Sequence, residues 1–289
     1  MIAASELILN PNGSIYHLNL LPNQIAQNII TVGDPERVET ITKHFDSIEF
    51  KEQKREFKTQ TGLYKGKRIT VISTGIGTDN IDIVLNELDA LVNIDFETRK
   101  IKEKLTSLNI IRIGTSGAIL PTIAVDSFLI SEYAIGLDAM LNAYDCTAVL
   151  ETELETKFIS QTNWNTNKGK PYAVAANKEL VNHFKDDKII NGCTLTAGGF
   201  YGPQSRVLRL KVQDALFFDK VQKLNHNGIN VINLEMETAG IYGLGKLLGH
   251  KCISLNAILA NRANGVFSTK AEETISELVL YALSKIITL

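Results

Sequence analysis

Residues 28–38 read NIITVGDPERV, and this stretch predicts how the chain begins to fold. The run NIITV is apolar and rich in β-branched side chains, which is typical of a strand that is buried on both faces. Gly33 then allows a tight turn, Asp34 can cap a helix, and Pro35 suits the first helical position. A buried strand that leads directly into a helix is the repeating unit of α/β proteins.

Strands and helices continue to alternate along the chain. Apolar residues at helical spacing predict one helix over residues 81–92 and another over residues 275–286. Apolar, β-branched runs predict further strands at 69–73, 109–113, 127–130, 229–234 and 252–260. No composition shift marks a second core, so we predict one α/β domain over residues 1–289 with a mostly parallel or mixed sheet. Ligands of such sheets bind beyond the carboxyl ends of the strands.

Composition and charge exclude several classes of protein. The chain has 289 residues, of which 44% are apolar and 21% are charged, a balance unlike that of collagen-like, mucin-like or disordered sequences. The formal net charge is only −2. No broad basic field therefore exists to bind nucleic acid or an anionic membrane, and any anion has to be bound by a local site.

The cysteines and the termini bear on where the protein works. Cys146, Cys193 and Cys252 stand far apart without CxxC spacing, which favours reduced thiols in a cytoplasmic protein over a disulfide framework or a zinc site. The amino terminus lacks the basic and apolar regions of a signal peptide, so we expect a soluble protein that is not exported. The polar segment 143–170, which contains Trp164, is expected to form a loop or lid.

Two strand ends carry arginines suited to binding an anion. Arg37 lies in the first turn of the helix after NIITV, beside free backbone amides; the alternative is an arginine that is simply solvated. Arg112 lies inside the apolar stretch IIRIGTSGAI, and Thr115 follows it. Burying a guanidinium is costly unless it is paired. Arg112 is therefore either part of an internal ion pair, for example with Glu87, or a second phosphate-binding arm together with Thr115.

Two carboxylates, Glu235 and Glu237, flank Met236 in NLEMETAG, directly after a predicted strand. Two carboxylates this close suggest, as one alternative, general acid and base catalysis of the kind used in glycoside hydrolysis. They are also typical of a helix start, where the helix dipole favours acidic residues. The Met236 thioether can lie against the apolar face of a sugar or base.

Eight segments, taken in order along the chain, resemble the nucleoside phosphorylase family, and its uridine phosphorylases most closely. These segments are YHLNL, GDPERV, REF, STGIG, RIGTSGAI, FYGPQSR, NLEMETAG and ANR. The resemblance implies that family's fold, a single domain with a central mixed, partly barrel-like β-sheet flanked by helices. It also implies a pentosyltransferase of nucleoside salvage, in which inorganic phosphate cleaves a nucleoside into base and (deoxy)ribose 1-phosphate.

The resemblance assigns roles at the phosphate end of the site. The residues similar to the family's phosphate-binding set are Gly33, Arg37, Arg112 and Thr115. Arg55, in KREFKT, resembles an arginine contributed by a neighbouring subunit. His17, in YHLNL, resembles a histidine that reaches across the same interface to the sugar 5′-hydroxyl, although by itself it is equally a surface histidine. The resemblance therefore implies a homo-oligomer, at least a dimer and, by the family pattern, a hexamer.

The resemblance also assigns the sugar and base ends of the site. Glu237 is similar to the carboxylate that accepts hydrogen bonds from the ribose 2′- and 3′-hydroxyls, and Met236 lies beside the sugar. In FYGPQSR, Gln204 and Arg206 match the pair with which uridine phosphorylases recognise uracil. Phe200 resembles the aromatic residue that packs against the base, with an ordinary core position as the alternative. The residues implied as catalytic are Arg112, Gln204, Arg206 and Glu237.

Base choice depends on the end of the last predicted strand, in SLNAILANRANG. Purine phosphorylases of the family carry a Ser-Asp pair there, and the aspartate protonates the leaving purine. This chain has Asn261 and Arg262 instead. Arg262 resembles a base-binding arginine of uridine phosphorylases that helps to hold the base-recognition loop. We therefore predict phosphorolysis of uridine or deoxyuridine. The alternatives are a purine or broad-specificity phosphorylase, a nucleosidase, and a non-catalytic nucleoside-binding protein on the same fold.

The resemblance implies inorganic phosphate as a co-substrate and no metal or organic cofactor. Glu56 resembles a family residue at a subunit-interface site for a monovalent cation, and charge pairing with Arg55 explains this carboxylate equally well. The implied partners are a nucleoside, phosphate and further copies of the chain.

Overall fold

A twelve-stranded sheet forms the centre of the structure, a computed structural model that describes residues 1–289. The strands are β1 (Asn28–Val32), β2 (Ser47–Lys54), β3 (Phe57–Tyr64), β4 (Lys67–Ser73), β5 (Ile94–Asp95), β6 (Lys100–Ile101), β7 (Asn109–Ala118), β8 (Phe128–Gly136), β9 (Tyr172–Ala175), β10 (Ile189–Thr196), β11 (Asn225–His226), β12 (Ile229–Glu235), β13 (Lys251–Asn261) and β14 (Val266–Phe267). The helices are α1 (Pro35–Thr42), α2 (Thr78–Asn93), α3 (Thr152–Thr162), α4 (Lys178–Phe184), α5 (Phe217–Val221), α6 (Thr238–Leu247) and α7 (Ala271–Ile286). Strands β5 and β6 form a separate small sheet.

Five strands of the large sheet close into a ring. Strand β7 pairs in parallel with β13 and antiparallel with β12. Strand β12 pairs with β10, β10 with β8, and β8 with β13, which completes the circuit. On the other side of β7 the sheet continues through β1, β4, β3 and β2 as an open extension. The predicted α/β fold, with a central mixed, partly barrel-like sheet flanked by helices, is confirmed.

The stretch NIITVGDPERV folds as its sequence predicts. All five residues of β1 are buried between the parallel strands β4 and β7. Ile29 packs into one apolar cluster and Ile30 into another, because successive side chains of a strand point to opposite faces. Asp34 caps α1 by accepting a hydrogen bond from the Glu36 backbone N–H at 2.9 Å. The end of β1 is thereby joined to a helix start within two residues.

The other predicted helices and strands form, and several are longer than their sequence patterns. Helices α2 and α7 each begin before the first residue of the apolar pattern, at Thr78 and Ala271. The expectation that the strand predicted at 109–113 ends at Ile113, with Thr115 following its end, is wrong. Strand β7 continues to Ala118 because β13 pairs with it along its whole length and β12 pairs with its last two residues. Thr115 is therefore held on a strand.

The expectation that the polar segment 143–170 forms a loop or lid is wrong. Its centre is helix α3, on which Leu154 and Phe158 are fully buried. The Phe158 ring packs against Trp164 and Phe217, with centroids 5.5 and 6.4 Å away. Only two apolar residues, one helical turn apart, attach α3 to the core, which is too short a pattern to be recognised in a polar sequence.

Three further observations concern cysteines, metals and membranes. All three cysteines are free and buried. No group of three or more His, Cys, Asp and Glu side chains is arranged to hold a metal ion. No helix combines the length and the apolar character that crossing a membrane requires.

Candidate functional site

A cavity of about 760 Å³ opens at the carboxyl ends of β1, β4, β7, β12 and β13. The loops and helix starts that follow these strands supply its walls, as expected for ligand sites in α/β proteins. The predicted site residues that line it are Gly33, Arg37, Glu56, Arg112, Thr115, Phe200, Gln204, Arg206, Met236 and Glu237. His17, Arg55 and Arg262 do not line it. The cavity therefore unites most of the predicted residues from segments that are distant in sequence.

Two arginines, Arg37 and Arg112, share the part of the cavity next to the start of α1. Arg37 lies in the first turn of this helix, whose capped end presents backbone N–H groups. Burial and then the charge of Arg112 lower the pKa of Arg37, because both disfavour a second positive charge in this place. The two guanidinium groups repel one another. An oxyanion bound between them would offset this repulsion and accept hydrogen bonds from both.

Arg112 is buried and pairs with two carboxylates. Its Nη2 lies 2.5 Å from Oε2 of Glu237 and 3.1 Å from Oε2 of Glu235. Burial acts to lower the pKa of Arg112, but the two carboxylates outweigh it and the pKa lies above its ordinary value. The internal ion pair considered from the sequence therefore exists, but the suggested partner, Glu87, is wrong. The Glu87 carboxylate instead accepts hydrogen bonds from the backbone of His17 and contacts its Nδ1 at 2.6 Å.

The two carboxylates of NLEMETAG have different environments. Glu235 accepts hydrogen bonds from the backbone N–H groups of Glu237 and Thr238, so it caps the start of α6 in the way expected of an acidic residue there. Glu237 accepts one backbone hydrogen bond, from Gly77 at 2.8 Å, besides its contact with Arg112. Burial raises the pKa of Glu237, and Arg112 offsets this only in part. Glu237 has fewer protein partners and is the better placed of the two to accept hydrogen bonds from a ligand.

Three side chains of the FYGPQSR loop form another part of the cavity wall. Arg206 donates through Nη1 to the Phe200 carbonyl at 2.7 Å and to Oε1 of Gln204. Its guanidinium also lies over the Phe200 ring, 3.7 Å from the centroid. Gln204 is buried, whereas Phe200 is 50% exposed at the rim, so the alternative of a core position for Phe200 is wrong. Burial lowers the pKa of Arg206. The Gln204 amide and the Arg206 guanidinium are thus held next to one another in this wall by their mutual hydrogen bond.

Arg262 lies behind this loop and not in the cavity. Its Nη1 donates to the Gln204 carbonyl at 2.5 Å, so it holds the loop, as the resemblance suggested. Direct base binding by Arg262 is not supported, because its guanidinium faces the loop backbone. The neighbouring Asn261 is buried and bonds to backbone groups. Strand β13 therefore presents only the apolar Leu259 and Ala260 to the cavity.

His17 and Arg55 stay outside this chain's own cavity. Arg55 lies in the turn between β2 and β3 with a φ of 57°, a left-handed conformation that is uncommon for residues other than glycine. Its neighbour Glu56 does line the cavity. A position away from the chain's own site is what a role in a neighbouring subunit's site requires, and for His17 and Arg55 that role stays a prediction.

Two supporting contacts of the site were not predicted. Asn256, fully buried on β13, accepts a hydrogen bond from Nη1 of Arg112 at 3.1 Å. Thr196, at the end of β10, donates its hydroxyl to Glu235 at 2.6 Å. The sequence did contain a signal for Asn256, since an amide inside the apolar run SLNAILA needs a buried partner. Thr196 gives no such signal, because threonine is common in strands.

Comparisons with known proteins bear on the family of the chain. The family model of the Phosphorylase superfamily matches residues 28–286. The uridine phosphorylase of Thermococcus kodakarensis is 29% identical over 264 residues, which are 90% of this chain and 82% of that protein. A purine nucleoside phosphorylase of the DeoD-type 2 from Shewanella oneidensis is 29% identical over 282 residues, 94% of this chain and 98% of that protein. The crystal structure of a Trypanosoma brucei nucleoside phosphorylase, described as showing uridine phosphorylase activity, superimposes with a TM-score of 0.85 at 28% identity and covers 96% of this chain and 99% of its own.

Proposed function

Because the chain belongs to the phosphorylase superfamily, we propose that its cavity catalyses phosphorolysis of uridine or deoxyuridine to uracil and (deoxy)ribose 1-phosphate. Membership makes the chain an enzyme of the pentosyltransferase class, acting on a nucleoside and inorganic phosphate. The choice of uracil as the base is the step that goes beyond the family. The proposal takes residues 1–289 as one nucleoside phosphorylase domain.

In this proposal the phosphate binds between Arg37 and Arg112, with the Thr115 hydroxyl as a further donor. The phosphate lies beneath C1′ of the sugar, and a bond from its oxygen to C1′ forms as the bond from C1′ to the base breaks. Positive charge develops on the sugar in the transition state, and the phosphate stabilises it as a counter-anion. Glu237 accepts hydrogen bonds from the 2′- and 3′-hydroxyls, and its contact with Arg112 opposes the rise in its pKa that burial causes.

Gln204 and Arg206 provide the preference for uracil. Oε1 of Gln204 accepts from Arg206 and has a second lone pair for the N3–H of uracil, while Nε2 can donate to a carbonyl. Arg206 retains N–H groups for O4. The electron pair of the breaking bond moves onto uracil and spreads over O2 and O4, where these fixed donors stabilise it more in the transition state than in the ground state. The presence of this pair in one cavity with Arg37 and Arg112 is the observation that carries the proposal.

A purine or broad-specificity phosphorylase is the second candidate. It is favoured by the purine relative from S. oneidensis, which is as similar to this chain, at 29% identity, as the uridine relative is. The wall formed by β13 weighs against it, because neither Leu259 nor Ala260 can protonate a leaving purine.

The proposal extends to assembly and surroundings. We propose a homo-oligomer, a dimer or a hexamer, in which Arg55 and His17 complete the site of a neighbouring subunit; their place outside their own cavity supports this. A monovalent cation beside Glu56 belongs to the same proposal. The three free buried thiols support a reducing, cytoplasmic environment.

Release of free uracil from uridine, measured with and without inorganic phosphate, tests the proposal. We expect release only with phosphate, and little turnover of inosine. Replacing Gln204 and Arg206 together by alanine should lower the turnover of uridine at least ~100-fold. The matched control is Leu208→Ala, which changes an exposed residue two positions after the FYGPQSR loop that does not line the cavity. Equal release without phosphate would contradict phosphorolysis, and faster cleavage of inosine than of uridine would favour the second candidate.

A further inference from the structure

We propose that Asn256 is a positioning residue that holds the guanidinium of Arg112 in its phosphate-binding orientation. The inference rests on the proposed function, because it takes the part of the cavity at Arg112 to bind inorganic phosphate. Asn256 does not line the cavity. It therefore acts through Arg112 and not on the substrate.

Asn256 reaches Arg112 through a gap in the neighbouring strand. In the pairing of β13 with β7, Asn256 lies opposite Gly114, and Ser254 lies opposite Arg112. A Cβ atom on Gly114 would overlap Nη1 of Arg112, so the guanidinium fills the space that a side chain would take. Asn256 borders this space, and its Oδ1 accepts the hydrogen bond from Nη1 at 3.1 Å. The missing side chain of Gly114 thus makes room for the guanidinium, and Asn256 binds it there.

The hydrogen bonds of Arg112 show what Asn256 adds. A guanidinium has five N–H donors in a fixed plane. The Nη2 atom contacts the carboxylates of Glu235 and Glu237, and Nη1 contacts Asn256. Without Asn256 every remaining partner would lie at Nη2, and the plane could pivot about that atom. A second anchor at Nη1 fixes the plane and leaves the Nε–H and one Nη1–H available for an anion.

The amide of Asn256 suits this position in two ways. It is fixed from behind, because its Nδ2 donates to Oγ of Ser254 at 3.2 Å, and that hydroxyl lies 2.9 Å from Oγ1 of Thr238 at the start of α6. It is also neutral, so it orients Arg112 without cancelling the positive charge that attracts phosphate. An aspartate would supply the same acceptor but would place a third negative charge beside the guanidinium.

The test titrates inorganic phosphate alone into the full-length protein by isothermal titration calorimetry. We expect Asn256→Ala to raise the Kd for phosphate about tenfold, the effect of losing one hydrogen bond to a charged group. We expect Asn256→Asp to raise it about 100-fold, because the added charge opposes the anion. The matched control is Asn28→Ala, which removes another buried strand amide. Asn28 is bonded to Asn109 at the amino end of β1, whereas the cavity opens at the carboxyl end of that strand, and Asn28 does not line it. This control should leave the Kd unchanged.

A positioning role and a purely structural role predict different kinetics. We expect Asn256→Ala to raise the KM for phosphate while the KM for the nucleoside stays at the wild-type value. An unchanged Kd in Asn256→Ala, wild-type affinity in Asn256→Asp, or an equal rise in both KM values would overturn the inference. If Asn256→Ala does not fold, Asn256→Ser takes its place with the same expectation, because its hydroxyl is too short to reach Nη1. Failure of the proposed function is distinguishable, since the wild-type protein would then bind phosphate but release no uracil from uridine.

Discussion

Replacing Arg112 with methionine should lower the free energy of unfolding, because two buried carboxylates then lose the cation that they share. Glu235 and Glu237 are 4% and 5% exposed, and Arg112 contacts them at 3.1 and 2.5 Å. Removing one partner of a buried ion pair costs about 3–5 kcal/mol, because the remaining charge is left without compensation. With the unfolding entropy typical of a chain of this length, that loss corresponds to a fall in Tm of about 5–8 °C.

The loss in Arg112→Met should depend on pH. Burial already raises the pKa of Glu237 in the folded protein, and removing Arg112 takes away the main opposing influence. A carboxyl whose pKa is higher in the folded than in the unfolded state destabilises the fold at high pH. This penalty decreases as the pH falls through the folded pKa, because the folded protein then takes up a proton at this group. It disappears below the lower, unfolded pKa, where the group is neutral in both states. The deficit in Tm relative to wild type should therefore be larger at about pH 8 than at about pH 5.

Calorimetric melting of both proteins at the two pH values provides the measurement. The matched control is Lys185→Met, which removes a cation 3.3 Å from Glu132 in an ion pair whose side chains are 52% and 21% exposed. An exposed pair of this kind is worth about 1 kcal/mol or less, so the control should melt close to wild type. A deficit in Arg112→Met no larger than that of the control, or one that is equal at both pH values, would refute the reasoning.

Three further outcomes are expected. Arg206→Lys keeps the charge but loses the planar fork, and should lower kcat for uridine about 100-fold in steady-state assays; a rise in the KM for phosphate instead would contradict the assignment. Phe158→Ala should destabilise the protein by about 3–5 kcal/mol in urea unfolding, whereas a loss below about 1 kcal/mol would mean that α3 is not part of the core. The thiols of Cys146, Cys193 and Cys252 should react with a chromogenic disulfide reagent only after unfolding. All three are buried, and burial raises the pKa of Cys193 and Cys252. Rapid reaction of the native protein would show that the core opens locally.

Local patterns were sufficient to predict most of the fold. Strand β1 is one continuous apolar run, and Asp34 and Pro35 mark the helix start beside it, so both signals lie within a few residues of each other. The closure of the ring could not be predicted from local patterns. It depends on Gly117 and Ala118 pairing with β12, a contact of only two residues that no periodicity encodes. The extension of β7 through Thr115 was missed for the same reason.

The site was predictable where single residues carry their own chemistry. Arg112 inside an apolar run signals a buried polar partner that a strand does not otherwise need. Gln204 and Arg206 carry no such signal, because polar side chains are ordinary in a loop, and only the resemblance of FYGPQSR to the family pointed to them. The partners of Arg112 were not predictable in this way. The contact with Asn256 depends on the register between β7 and β13 and on the absent side chain of Gly114, which become visible only when the strands are paired.

The closed ring also determines when, during folding, the site can exist. Arg112 emerges early in synthesis, but its contacts with Glu237 and Asn256 span 125 and 144 positions of sequence. Contacts so distant form only after most of the conformational freedom of the intervening chain has been lost. A nascent chain that stops before β12 carries Arg37 and Arg112 but neither the carboxylates nor the amide that orient Arg112. If the cavity binds an oxyanion as proposed, the full set of groups that orients Arg112 for that task is therefore complete only late in folding.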